Sequence, residues 1–268
     1  MIISSFLKEK KQTKVISDLG FGKDEKEFFL ISFPKSGNTW VRFLLANLLK
    51  EENEEITLKN IGNYVPDIYV ADQRENVSNK NSLFNSLTFK FLKTHDPYYK
   101  IYKDKKVIYI VRDGRDALNS YYYYLQSRTQ EKISLKDLIL GKKGGEYGIW
   151  SSHVIGWLEA KCEKKLIVKY EDILKDAYSE VKKFLSFVSI ELDENKIKSA
   201  ILNSSFEKLK DKEEKYGGIN KIDIEKEDKV PFFRKGQKGD WKNNFTSEDE
   251  ELFWKIHGKA MEAFNYNK

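Results

Sequence analysis

The stretch FFLISFPKSGNTWVRFLLANLL, Phe28–Leu49, passes from an apolar β-type run through a short basic turn into a helical pattern that begins at Trp40. A strand, a tight turn and a helix start in that order aim backbone N–H groups and the positive end of a helix dipole at one point, the geometry of an anion cradle. Lys35, Ser36 and Thr39 add a cation and two hydroxyl donors. The turn is not the GxxxxGK[ST] loop of Mg·ATP chemistry, because Lys35 precedes the single Gly37 and no glycine stands four or five positions upstream. The ligand expected is phosphate-like, and ordinary Mg·ATP is not the first candidate. A strand-to-helix turn that merely carries a surface lysine is the plainer alternative.

The same strand-then-helix order recurs in VIYIVRDGRDALNSYYYYL, Val107–Leu125, where Arg112 ends the apolar run and Ser120 lies eight residues on, in the first turns of the helix. Short apolar runs at Phe28–Phe33, Phe89–Leu92, Val107–Val111 and Leu166–Val168 read as buried strands of the kind found in parallel sheets. Between them lie helical patterns: Val41, Leu44, Leu45 and Leu48 share a face, as do Ile197, Ala200 and Ile201. A last helix is predicted with Ser247 as N-cap and Glu250 completing a capping box, its apolar face carrying Leu252, Ile256, Ala260, Ala263 and Phe264. Strands alternating with helices predict an α/β fold in which a parallel sheet is flanked by helices on both faces. Without a Pro/Gly/Ser linker or repeat, the chain reads as one domain over residues 1–268, with its core at about 25–266. Ligands bind such sheets at the carboxyl ends of the strands, which is where Lys35, His95, Arg112 and Tyr170 fall. Glu51–Leu87 and Glu207–Lys229, polar and charged, read as long loops.

Composition narrows the function classes. The 17 Phe, 15 Tyr and 5 Trp exclude a disordered chain. The net charge of +6 suits an anionic ligand, but mixed-sign runs such as Lys208–Lys215 give no nucleic-acid signature. A lone Cys162 excludes an internal disulfide, no run is apolar enough to span a membrane, and the start MIISSFLKEKK turns charged too early for a signal peptide, so the expected location is cytoplasmic. Of three histidines, His95 follows Lys93-Thr94 at a strand end and is suited to proton transfer near neutrality. Lys93, two residues earlier, falls on the same strand face. His153 is flanked by aromatics, which fits packing and substrate contact equally, and His257 reads as a partly exposed helix residue.

Five stretches in order, PKSGNTW at Pro34–Trp40, FLKTHDP at Phe91–Pro97, the Arg112/Ser120 pair, YGIWSSHVIGW at Tyr147–Trp157 and FFRKGQKGDWKNNFT at Phe232–Thr246, resemble the motifs of the cytosolic-type sulfotransferase family, which uses 3′-phosphoadenosine 5′-phosphosulfate (PAPS) and releases 3′,5′-diphosphoadenosine (PAP). The family's loop reads PKSGTTW, and its signature RKGxxGDWKNxFT is matched at every fixed position. The resemblance implies a P-loop-like phosphosulfate-binding loop of Lys35, Ser36, Gly37, Asn38 and Thr39. It implies a 3′-phosphate clamp of Arg112, Ser120, Arg234, Lys235 and Gly236, with Phe233 beside it, and an adenine site of Trp40, Phe206, Tyr170 and Ser205. The catalytic set it implies is His95 as base with Lys35, Lys93 and Ser120, with His153 on the substrate side and no metal. The acceptor, a small molecule, lipid or glycan bearing a hydroxyl or amine, stays open. The first long loop becomes part of the acceptor pocket and the second a lid over the cofactor. Departures are Asn38 for Thr, Asp113-Gly114-Arg115 for Asn-x-Lys, and Ser247 for Val in the dimer motif KxxxTVxxxE of animal relatives, in which Lys242, Thr246 and Glu251 fit. The expected state is a monomer or weak homodimer. Two alternatives remain, a nucleotide-dependent kinase on a related sheet, with Asp113 and Asp116 as its only nearby carboxylates, and a non-catalytic polyanion binder.

Overall fold

The computed structural model of the chain describes residues 2–51, 53–129, 131–217 and 231–268. In order, the elements are α1 (Ile2–Leu19), β1 (Glu27–Ser32), α2 (Asn38–Leu49), α3 (Ala71–Ser78), α4 (Leu83–Ser86), β2 (Lys90–Thr94), β3 (Lys106–Val111) and α5 (Gly114–Gln126). They continue with α6 (Leu135–Ile139), α7 (Trp150–Glu159), β4 (Lys164–Lys169), α8 (Tyr170–Lys175), α9 (Ala177–Val188), α10 (Glu194–Asn203), α11 (Phe206–Tyr216) and α12 (Ser247–Ala263). The four strands pair in parallel in the order β2-β1-β3-β4, with Phe29 opposite Leu92 and Leu30 opposite Ile108. All six residues of β3 are buried, five of them the apolar run Val107–Val111, as a sheet covered on both sides requires.

Alternate strand residues feed two cores. Phe29, Ile31 and Tyr109 pack with Trp150, Trp157 and Phe253 of α7 and α12 on one face. On the other, Phe28, Leu30 and Ile108 pack with Phe43, Val181 and Ile197 of α2, α9 and α10. The predicted α/β sheet with helices on both faces is the fold observed. No described helix is long and apolar enough to cross a membrane.

Several expectations are corrected. The capping box of α12 is formed by Thr246 and Asp249, one position earlier than Ser247 and Glu250, because Thr246 is the residue with extended backbone that turns its hydroxyl to the Asp249 N–H. The helix buries Phe253, His257, Ala260 and Met261, and its C-cap Phe264 is buried as well, while Ala263 is exposed. His257 is fully buried, its Nε2–H donating to the Ile139 carbonyl at 3.0 Å and its Nδ1 accepting from the Ser151 hydroxyl at 2.9 Å. The segment 51–87 is not a plain loop, since it carries α3 and α4, buries Ile56, Tyr64, Val65, Ile68 and Phe84, and bridges to β2 at Asp67 and Lys93. Of the second expected loop, residues up to Tyr216 form α11, and residues 218–229 lie outside the described residues. The helix α1, unanticipated, adds Ile16 to the first core.

Candidate active site

The carboxyl ends of all four strands converge on one cavity of about 1390 Å³. Every site residue expected from the sequence lines it except Ser36 and His153. At the end of β1, Gly37 takes φ 96° as N-cap of α2, and a Cβ there would stand 2.4 Å from the Tyr170 ring. Glycine is thus required both by conformation and by close approach. The first N–H groups of α2 have no helical acceptor and open an anion site. Beside them the Ser36 hydroxyl and the Nε of Arg112 are buried without a partner. Groups left so cost about 1–3 kcal/mol each unless a ligand or water satisfies them, so the donor set fits an anion.

Arg112, at the end of β3, joins this loop to the C-terminal one. It donates to the Lys35 carbonyl at 3.1 Å and the Gln237 carbonyl at 2.8 Å, and lies over the Tyr170 ring at 4.5 Å. The C-terminal loop is held from below by α5: Asp116 accepts from the Gly239 N–H at 2.6 Å and the Trp241 N–H at 3.0 Å, and Asn119 donates to Asp240 at 3.1 Å. Asp240 in turn gathers Arg234 and Lys235. Burial would raise the Asp240 carboxyl, but hydrogen bonds from Lys235, Arg234 and Asn243 bring it down to about 2. Gly236, at φ 62°, lies flat on Phe206, where a Cβ would stand 2.2 Å from the ring. Trp40 meets Tyr170 edge-on at 5.5 Å. Lys35 sits over the Phe232 ring at 4.0 Å and the Tyr124 ring at 4.9 Å. Burial, then the charges of Arg112, Arg128 and Arg234 against that of Glu213, bring its ammonium down to about 7.

At the end of β2 the chemistry changes. His95 Nδ1–H donates to the Ser32 carbonyl at 2.8 Å, which fixes the tautomer and leaves Nε2 as the atom available to the cavity. Burial, then the neighbouring Lys93, hold the imidazole well below its ordinary range, so it is neutral at pH 7. Asn38 reaches back to the Ser32 hydroxyl at 3.2 Å and so links the loop to the histidine's anchor. Lys93 is on the cavity wall but paired with Asp67 at 2.7 Å.

His153 does not reach the cavity. It is 1% exposed, its Nδ1 accepting from the Tyr109 hydroxyl at 2.8 Å and its Nε2–H donating to the His95 carbonyl at 3.1 Å. It supports the backbone of His95, and the expectation of substrate contact is corrected: both nitrogens are spent inside the core. Ser36 is also fully buried, but unlike His153 it has no partner for its side chain within the protein. Arg115 is turned away from the cavity onto Trp241 at 4.2 Å and pairs with Asp113 at 2.8 Å. With Asp113 so paired and Asp116 spent on two amides, both carboxylates that a kinase needs are engaged. Sequence reasoning missed Ser32, Asp67, Asn119 and Asp240; GDWKN marked the last as part of a motif without revealing its contacts.

Comparison with known proteins agrees with this geometry. A family model described as "Sulfotransferase domain" matches residues 25–265. Flavonol 4′-sulfotransferase of Flaveria chlorifolia is 31% identical over 273 aligned residues, covering 93% of this chain and 83% of its own. An amine sulfotransferase of Oryctolagus cuniculus is 28% identical, covering 90% and 82%. The solved structure of mouse sulfotransferase SULT7A1 complexed with PAP matches with a TM-score of 0.66 at 22% identity, over 92% of this chain and 88% of that one, a likeness of fold.

Proposed function

The chain belongs to the sulfotransferase family, and on that premise we propose that it transfers a sulfuryl group from PAPS to a hydroxyl or amine of a small-molecule, lipid or glycan acceptor, with His95 as general base. The observation that carries the reading is the state of His95: its Nδ1–H is spent on Ser32, so the basic Nε2 is turned to the same cavity that Lys35 and Lys93 line. PAPS, when bound, supplies a sulfuryl group already activated by its bond to a phosphate.

The residues fit that donor by charge and by the unpartnered Ser36 hydroxyl and Arg112 Nε. Lys35, Ser36, Thr39 and the first N–H groups of α2 hold the phosphosulfate end. Arg112, Ser120, Arg234, Lys235 and the Gly236 backbone hold the 3′-phosphate, Arg112 having a free edge for it. Trp40 and Phe206 flank the adenine, and Tyr170, Ser205 and Phe233 complete its wall. As the acceptor oxygen bonds to sulfur and the bond from sulfur to the phosphate oxygen breaks, the acceptor's proton passes to Nε2 of His95. Lys35 neutralises the charge that builds on the departing oxygen, which lowers the barrier and does more than tighten binding. Lys93, steadied by Asp67, faces the transferring oxygens.

Turnover of sulfur-labelled PAPS across a panel of phenols, alcohols and amines, with and without excess EDTA, tests this. Transfer of label that survives EDTA is expected. Metal-dependent turnover of ATP with PAPS inert would overturn the reading in favour of a kinase.

A further inference from the structure

The residue after His95 takes no part in the transfer just described, yet it is a carboxylate buried to 1% exposure. Asp96 receives the hydroxyl of Tyr69 on Oδ1 and that of Tyr102 on Oδ2. Its own backbone is fixed from both sides: its N–H donates to the Thr94 hydroxyl at 3.1 Å, and its carbonyl accepts from the Trp157 indole at 2.9 Å. Tyr102 and Trp157 are fully buried, so one half of this arrangement is a part of the core. The other half is not. Tyr69 is 40% exposed, comes from the segment after the Asp67 bridge, and lines the cavity.

The Tyr69 ring meets Tyr147 edge-on at 5.5 Å, and Tyr147 meets His95 at the same distance. Lys93 lies 5.8 Å from the centre of the Tyr69 ring. Two tyrosines from segments far apart in the chain thus form a rim beside the base. An aromatic side chain this exposed has rotamers to choose from, and choosing one costs entropy. A hydrogen bond to a buried carboxylate is of the strong, charge-assisted kind that can make the choice.

We propose that Asp96 is a positioning residue for the acceptor: through Tyr69 it holds the Tyr69–Tyr147 rim in place, and so sets how tightly a planar acceptor is held against Nε2 of His95. Rim aromatics whose edges and faces are fixed select flat ring systems over branched ones. The inference rests on the sulfuryl-transfer reading above.

The test uses Tyr69→Phe, Asp96→Asn and the double variant, with PAP affinity measured by calorimetry and steady-state kinetics with 2-naphthol as acceptor. Tyr69→Phe removes one hydroxyl from a half-exposed ring, so its folding is safe even where that of Asp96→Asn is not. In each single variant KM for 2-naphthol is expected to rise about tenfold while kcat stays within about threefold, the pattern of lost acceptor binding. PAP affinity stays unchanged, and the double variant is no worse than the weaker single one, because both act on the same contact, Tyr69→Phe by removing the donor and Asp96→Asn by removing the acceptor's charge. A Tyr69→Phe enzyme with the wild-type KM, or effects that add in full, would overturn the inference alone. A wild-type protein that binds no PAP would instead sink the sulfuryl-transfer reading and this inference with it.

Discussion

The two ends of the cavity are built on different principles. The end made by Lys35–Trp40, Arg112 and Arg234–Gly236 uses backbone, glycines and fixed cations, tied to one another by short contacts such as Arg112 to Lys35 and Asp116 to Gly239. The end made by Asp67, Tyr69, Tyr147 and His95 uses side chains from separate segments that meet only in the fold. A phosphate-like group has one shape and one charge, so a few short contiguous motifs can recognise it. An acceptor is recognised by whatever rings and polar groups the loops bring together. The contrast predicts that damage at one end leaves binding at the other intact.

His95→Asn tests that separation most severely. Loss of a general base costs about 10²–10⁴-fold in kcat, while on the proposed roles PAP affinity should be unchanged, since Nδ1 is engaged with Ser32 and Nε2 is the atom assigned to the acceptor. Kinetics alongside calorimetry check it; a joint loss of turnover and of PAP binding would join the two ends and break the comparison. Because His95 is held well below the ordinary imidazole range, by burial first and Lys93 second, the acid limb of kcat/KM should lie below pH 6.5.

The nucleotide end can be challenged by its ligand. PAP at about 100 times its Kd should stabilise the protein by about 2.7 kcal/mol, and AMP, lacking the 3′-phosphate, by much less at equal concentration. Thermal unfolding reads the difference. Equal shifts would remove the 3′-phosphate role from Arg112, Ser120 and Arg234. Gly236→Ala should weaken PAP by about tenfold, a strain of ~1–2 kcal/mol from a side chain at left-handed φ, made worse by the Phe206 ring 2.2 Å from the new Cβ.

The same contrast explains how much could be read from the sequence. Strands β1, β2 and β3 were legible as short, buried apolar runs and β4 by its centre Leu166–Val168, and the loops of the proposed nucleotide end because their residues lie within short motifs. The acceptor end was not. Asp67 and Lys93 pair across the sheet edge from positions 26 residues apart, and nothing local in Tyr64–Val70 marks Asp67 as the partner of Lys93. His153 among aromatics looks the same whether its ring faces a substrate or, as here, Tyr109. The start of α12 missed by one residue because Thr246 and Ser247 are both able caps, each with an acidic residue three positions on.

The smallest effect is a proton. Lys35 sits between the Phe232 and Tyr124 rings and faces Arg112, Arg128 and Arg234, with Glu213 opposing them, and its ammonium falls to about 7 by burial first and those cations second. In the ligand-free protein it therefore loses its proton as pH rises through about 7, whereas an anion bound beside it raises its affinity for the proton. Binding above that pH must take up a proton, so affinity is greatest below 7 and declines as pH rises. The expected loss between pH 6 and 8 is about tenfold, the linkage of a single group. The phosphates of PAP ionise further over the same range and act in the opposite direction, so the quantity to follow is the ratio of wild-type to Lys35→Met affinity, measured by calorimetry at each pH in two buffers of different ionisation enthalpy. A ratio that falls with pH, with proton uptake in the wild type alone, makes Lys35 the titrating cation of the nucleotide end. A constant ratio would leave Lys35 charged throughout, and the aromatic pair around it without effect on its proton.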